Sequence, residues 1–155
     1  MSRVGVGILV SGRGTNMEAL VRATRKDVPD AEVLTGLSIR SVADMRRAAR
    51  LLVEHGAGAV LVKGGHLGGA EAIDVLDDGR TVAELVAPRL PVRHTHGTGC
   101  QLSAAITAGL ASGHVLRGAV DTAKRFISVA IGAGLAIGKG DGPANPLAWR
   151  AQTQR

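Results

Sequence analysis

The sequence predicts an α/β layer fold, and three observations predict it. Short apolar strands alternate with amphipathic helices along the chain, the pattern that layers helices on a sheet. Apolar residues fill 45% of the 155 positions, enough to bury a core, yet Phe126 and Trp149 are the only aromatics. Glycine stands at 22 residues, about twice its usual share. A core of Val, Leu, Ile and Ala with close backbone approaches and tight turns is therefore expected.

The elements follow in order. Arg3 to Val10 alternates and then runs apolar, a buried strand. Ser11-Gly12-Arg13-Gly14-Thr15-Asn16 is a tight turn, and Asn16 can cap a helix from Met17 to about Arg25. Asp27-Val28-Pro29-Asp30 breaks it, and a short helix from about Asp30 to Leu34 stops at Gly36. Ser41 with Asp44 approximates a capping box. Val42, Met45, Ala49, Leu52 and Val53 then form one apolar stripe that Gly56 ends. Ala59 to Val62 is a short strand with Lys63-Gly64-Gly65-His66 at its C-terminal end. Ala72 to Leu76 and Thr81 to Val86 flank an Asp-Gly turn, a strong hairpin signal. After Pro88 and Pro91, His94-Thr95-His96-Gly97-Thr98-Gly99-Cys100 leads into a small-residue helix to about Ala111. A second long helix is expected from Leu116 to Ile137, and Gly138 to Pro143 has turn chemistry.

Several classes are excluded. No apolar run reaches the roughly 18 to 20 residues of a membrane span. The N-terminus reads as a strand and not as a signal peptide. Cys100 is the single cysteine, which suits a reducing, cytoplasmic setting. The charge balance is 19 Lys and Arg against 13 Asp and Glu, a net +6. It is spread along the chain without aromatics for base stacking, which argues against nucleic acid. A phosphorylated small molecule fits better.

The strongest chemical candidate is Gly97-Thr98-Gly99-Cys100. Glycines let a turn aim several N–H groups at one point, and the following helix adds its positive end. Such an anion hole suits a terminal phosphate or the charge of phosphoryl transfer. Cys100, in the first helical turn, lies where the dipole favours a thiolate able to accept a proton. Taken alone, the turn reads first as an ordinary glycine turn before a buried helix-start cysteine. Lys63 alone reads as a solvated strand-end lysine, although strand ends are where α/β sites assemble. His66, His94 and His96 read as loop histidines, and His55 and His114 as helix-end residues.

THGTGCQLSAAITAGLASG, with VKGGH upstream and GDGPANP near the end, closely resembles the hydroxymethylpyrimidine and phosphomethylpyrimidine kinases of thiamin biosynthesis, in the ribokinase-like superfamily. AEVLTGL at Ala31 to Leu37, the Ser41 helix and the hairpin before Ala87-Pro88-Arg89 fit in the same order. The likeness runs from about Pro29 to Trp149. It implies a three-layer sandwich with a mainly parallel sheet, a truncated ribokinase-like fold. It also implies ATP and Mg²⁺, with Gly97, Thr98 and Gly99 forming the anion hole. Cys100 matches the base toward the hydroxymethyl group, Lys63 the lysine near the ATP phosphates, and Thr95 the threonine of the nucleotide site. Asp27 and Asp30 align with family positions used around Mg-ATP, though exposed linker acids are an equal reading. Small-molecule partners, no membrane and a possible homo-oligomer follow.

Members of that family are longer at their N-terminus. Here RVGVGILVSGRGTNMEALVRAT resembles the start of glycinamide ribonucleotide formyltransferase, in which this turn binds substrate phosphate. The matching positions are Gly14, Thr15 and Asn16. The later catalytic Asn, His and Asp and the folate site have no counterpart, so formyl transfer is not expected. The likenesses meet near Val28 to Val33. The chain thus reads as a chimeric single domain of residues 1–155, with 1–28 formyltransferase-like and 29–155 the ribokinase-like ATP-binding half. The first strand is expected to cover a sheet edge left open by the missing half. The leading expectation is an ATP-binding kinase-like domain with little turnover, because the substrate half is missing. Two alternatives are an inactive chimera that at most binds phosphate or nucleotide, and residual phosphate binding at the N-terminal loop.

Overall fold

The computed structural model describes residues 8–11, 31–65 and 67–153. They belong to two compact units, Met1–Pro88 and Arg89–Arg155. The expected helix from Met17 to Arg25, the turn positions Gly14, Thr15 and Asn16, and Asp27 and Asp30 lie outside the described residues.

The first unit carries a sheet in the order β1-β2-β3-β4: β1 (Ile8–Ser11), β2 (Val60–Lys63), β3 (Glu71–Asp77) and β4 (Val82–Pro88). β1 lies parallel to β2, with Ile8 opposite Val60 and Ser11 opposite Lys63. The expected first strand is therefore present and paired in its described part. The β2–β3 and β3–β4 pairs are antiparallel. This corrects the mainly parallel sheet expected from the sequence: among the described residues the sheet is mixed. Connection length is the reason. Parallel neighbours need a crossover of about a dozen residues or more, and residues 64–70 and 78–81 are too short to supply one.

Helices α1 (Ala31–Thr35) and α2 (Val42–Glu54) complete this unit. Ser41 caps α2: the Asp44 N–H donates to Ser41 Oγ at 3.2 Å, and that hydroxyl donates to Asp44 Oδ2 at 2.7 Å. The Arg40 N–H also donates to Asp44 Oδ2, at 3.1 Å. Met45 and Ala49 of α2 are buried with Val60, Val62 and Val75 on one sheet face. Alternation sends Leu61, Leu76 and Leu85 to the other face, and they are equally buried. Two ion pairs run from α2 to the sheet, Arg46 with Glu84 and Arg50 Nε with Asp77 Oδ2 at 3.1 Å. Asp77 is fully buried, and its Oδ1 accepts the Gly79 N–H at 2.9 Å. Gly79, at φ +81°, makes the hairpin turn possible.

Both Asp44 and Asp78 are held below the ordinary carboxylate range. The Ser41 hydroxyl does so most for Asp44, and the Thr81 and Arg80 N–H groups do so for Asp78. Their folded pKa values are depressed, so their stabilisation is present above the ordinary carboxylate pKa and is lost as pH falls through it. Asp44→Asn with Asp78→Asn should therefore flatten the loss of stability between about pH 5 and about pH 3. Urea midpoints measured across that range check this; an unchanged acid limb contradicts it.

The second unit is built on a helical hairpin, α3 (Thr98–Ala111) and α4 (Leu116–Gly132). Gly109 lets the two helices touch: a Cβ there would lie 3.0 Å from the Ala119 Cβ. The sequence places the end of α4 at Ile137, and the structure corrects this to Gly132. The Leu135 N–H, which a continuing helix would direct back to Ile131, donates instead to the Pro143 carbonyl at 2.9 Å. A short helix that the sequence did not suggest, α5 (Ala148–Thr153), follows. Its Trp149 meets Phe126 edge to face, with centroids 6.0 Å apart. No helix among the described residues is long and apolar enough to cross a membrane.

Candidate functional site

The glycine turn ahead of α3 has the expected form. Gly97 is the N-cap residue at φ +79°, a left-handed conformation natural to glycine. Its carbonyl accepts the Gln101 N–H at 3.0 Å, while the Thr98 N–H reaches the Thr95 carbonyl at 3.4 Å. Among the described residues, the N–H groups of Gly99 and Cys100 donate to no acceptor. They are orphan donors of a helix start, aligned with the positive end of the helix dipole. Gly97, Thr98 and Gly99 are half-buried, and Cys100 is a free, exposed thiol at the third helical position. Thr95 is exposed.

A second segment holds this turn. The His96 N–H donates to the Gly142 carbonyl at 3.2 Å, and the Ala144 N–H donates to the His96 carbonyl at 3.3 Å. These bonds make a short parallel bridge between His96 and Pro143. Gln101 Nε2 donates to the Ala144 carbonyl at 3.3 Å, which ties the strap to the first turn of α3. The Asn145 N–H donates to the Ala130 carbonyl at 2.8 Å, anchoring the strap on α4. The Gly142 N–H donates to His94 Nδ1 at 2.9 Å. Thus GDGPANP serves the THGTGC turn as its backbone partner. His94 and Gln101 are the residues that sequence reading missed, because their partners lie 48 and 43 positions away.

The other expected cation, Lys63, ends β2 in the first unit and stands opposite Asp74 in β3. Asp74 is buried, and its Oδ1 accepts the Gly64 N–H at 3.0 Å. Gly64 sits against β3 so closely that a Cβ would fall 2.1 Å from the Ile73 carbonyl oxygen. A cavity of about 190 Å³ in the same unit is lined by Arg40, Ser41, Leu67, Glu71 and their neighbours, and by none of the expected site residues. Among the described residues, no three His, Cys, Asp or Glu side chains stand together as a metal cluster. A Mg²⁺ ion held chiefly by nucleotide phosphates and water needs no such cluster.

Two units of this kind, a mixed sheet with helices and a glycine-started helical hairpin, match solved proteins of the ribokinase-like α/β fold. Bacillus subtilis pyridoxal kinase, solved as an ADP complex, superposes with a TM-score of 0.74 and 38% identity, over 77% of this chain and 46% of that one. Staphylococcus aureus pyridoxal kinase, in complex with AMP-PCP and pyridoxal, gives 0.74 and 36%, over 77% and 45%. The sequence profile of the phosphomethylpyrimidine kinase family matches residues 19–145, and the chain belongs to that family. The hydroxymethylpyrimidine/phosphomethylpyrimidine kinase of Rhizobium meliloti is 48% identical over 122 residues, 77% of this chain and 46% of the relative. The chain spans about half the length of most of the curated relatives it matches.

Proposed function

We propose that this chain is the ATP-binding half of a hydroxymethylpyrimidine/phosphomethylpyrimidine kinase. The single observation that carries the reading is the pair of unpartnered N–H groups at Gly99 and Cys100, behind a left-handed Gly97. Backbone donors at a helix start bind phosphate without a dedicated side chain. Gly97, Thr98 and Gly99 cradle the transferred phosphoryl group and Thr95 contacts the nucleotide, while Lys63 is carried over from the family resemblance alone as the lysine of the ATP phosphates. Mg²⁺ travels with the phosphates, and Asp27 and Asp30 are its candidates by the family resemblance. The related proteins support nucleotide use, since two pyridoxal kinases of this fold are described as complexes with ADP or AMP-PCP.

In the transfer step the acceptor hydroxyl oxygen attacks the γ-phosphorus, its O–H proton passes to Cys100 Sγ, and ADP leaves with the electron pair of the broken P–O bond. The acceptor class is a hydroxymethyl group on a six-membered nitrogen heterocycle. Hydroxymethylpyrimidine and pyridoxal, the compounds named for the relatives, share that chemistry.

In this ribokinase-like half the first strand has the role of covering a sheet edge. The pairing of Ile8–Ser11 along β2 supports this role, because it covers strand edge groups that otherwise invite aggregation. The family match starts at residue 19, inside the 1–28 segment that resembles a formyltransferase and holds Gly14, Thr15 and Asn16. Calorimetric titration with MgATP tests the reading. Saturable binding is expected, with about 2.7 kcal/mol of added stability at about 100 times Kd. No saturable heat and no change in Tm would sink it.

A further inference from the structure

We propose that His94 is a positioning residue for the phosphate-binding turn, acting as a latch that adds its hold on the Gly142 end of the 142–145 strap while its Nδ1 is unprotonated. The inference rests on the reading that Gly97–Cys100 receives the ATP phosphates. Geometry carries the rest. The Gly142 N–H donates to His94 Nδ1 at 2.9 Å, so this nitrogen must offer a lone pair and any ring proton must sit on Nε2. The ring is packed where it stands: a Cβ on Gly142 would lie 2.8 Å from Nδ1, and one on Gly134 would lie 2.8 Å from His94 Cβ. The absence of a side chain at Gly142 leaves room for the imidazole nitrogen, and at Gly134 for the His94 Cβ. From Gly142 the strap continues to the His96 bridge and to the Gln101 amide on the first turn of α3. His94 touches neither Gly99 nor Cys100 through any of these bonds. It acts through the strap.

An imidazolium donates from both nitrogens and cannot accept the Gly142 N–H. Protonation therefore replaces an attraction with two N–H groups facing each other, and the strap loses the anchor at its Gly142 N–H while the Gly142 carbonyl keeps the His96 N–H. The charged and titratable groups on the two segments are Arg93 and His96 on one, Lys139 and Asp141 on the other. Arg93 Nε lies 3.2 Å from Asp141 Oδ1, an exposed pair that flanks the latch. The end of α4 that meets Gly134 carries no charge after Arg125.

The test uses the whole chain and three proteins: the parent, His94→Ala and His94→Asn. Asparagine places an amide oxygen where Nδ1 stands, one bond beyond Cγ, and does not titrate. His96 and the Arg93–Asp141 pair are kept in all three. Protection of the Gly142 amide against hydrogen exchange is followed from about pH 8 to about pH 5. MgATP affinity is measured alongside. In the parent, acidification should lower Gly142 protection and MgATP affinity each by about tenfold, the worth of roughly one hydrogen bond. His94→Asn should hold both values flat, and His94→Ala at about pH 8 should behave like the acidified parent. An equal acid loss in His94→Asn overturns the latch, as does a folded His94→Ala with undiminished protection. If His94→Ala does not fold, the comparison of the parent with His94→Asn still decides. A parent that binds no MgATP at any pH removes the nucleotide reading, and the exchange data then judge the latch alone.

Discussion

Replacing Cys100 with alanine is expected to lower phosphoryl transfer from ATP to hydroxymethylpyrimidine by about 10²- to 10⁴-fold, the usual contribution of a positioned acid–base group. MgATP affinity should stay within about twofold, because on the proposed reading the anion meets the backbone N–H at this position, which the substitution keeps. The thiol is exposed on the third residue of α3. Its removal leaves no buried cavity, so stability should change by less than about 0.5 kcal/mol. That separation of rate from binding and folding is what distinguishes a proton acceptor from a structural cysteine. Cys100→Asp retains an acceptor and should recover much of the loss. Equal transfer rates in the parent and Cys100→Ala would remove Cys100 from the mechanism.

The second large effect is on stability, at adjacent glycines of the VKGGH motif. Gly64→Ala is expected to destabilise the protein by about 3 kcal/mol or more. Its new methyl would meet the Ile73 carbonyl oxygen at 2.1 Å and Met45 at 3.2 Å. Neither neighbour can yield cheaply, since one is sheet backbone and the other is the fully buried Met45 of the core. Moving Gly64 away would also break its N–H bond to buried Asp74 and leave a carboxylate oxygen short of a donor. Gly65→Ala meets nothing within 4 Å, and should stay within about 0.5 kcal/mol of the parent. Denaturant midpoints of the two variants check the contrast, and equal losses would contradict it.

These glycines also mark how far the sequence could be read. Excess glycine announces tight turns, and Gly79 and Gly97 do turn the chain at positive φ. Gly64 and Gly142 are glycines for another reason, the approach of a distant backbone, and nothing local in the sequence encodes that. Local signals carried well: Ser41 with Asp44 marks a helix start, and Asp78-Gly79 marks a hairpin. The glycine turn before α3 was legible because its chemistry sits in consecutive residues. The sheet's mixed direction depends on which strands pair, and the Gly-Gly pairs of the β2–β3 connection mark a turn without saying that β3 returns antiparallel to β2. The true end of α4 depends on Pro143 capturing the Leu135 N–H, against an apolar run that favours more helix. His94 was passed over for the same reason, since its role exists only once residues far along the chain come to meet it.

The central claim, that the start of α3 cradles nucleotide phosphate, is tested most directly by following the backbone amide resonances during a MgATP titration. The Gly99 and Cys100 amides should shift the most within the second unit and saturate with the same Kd as the calorimetric heat. Saturable binding that leaves those two amides unmoved, or no saturable binding at all, would contradict it.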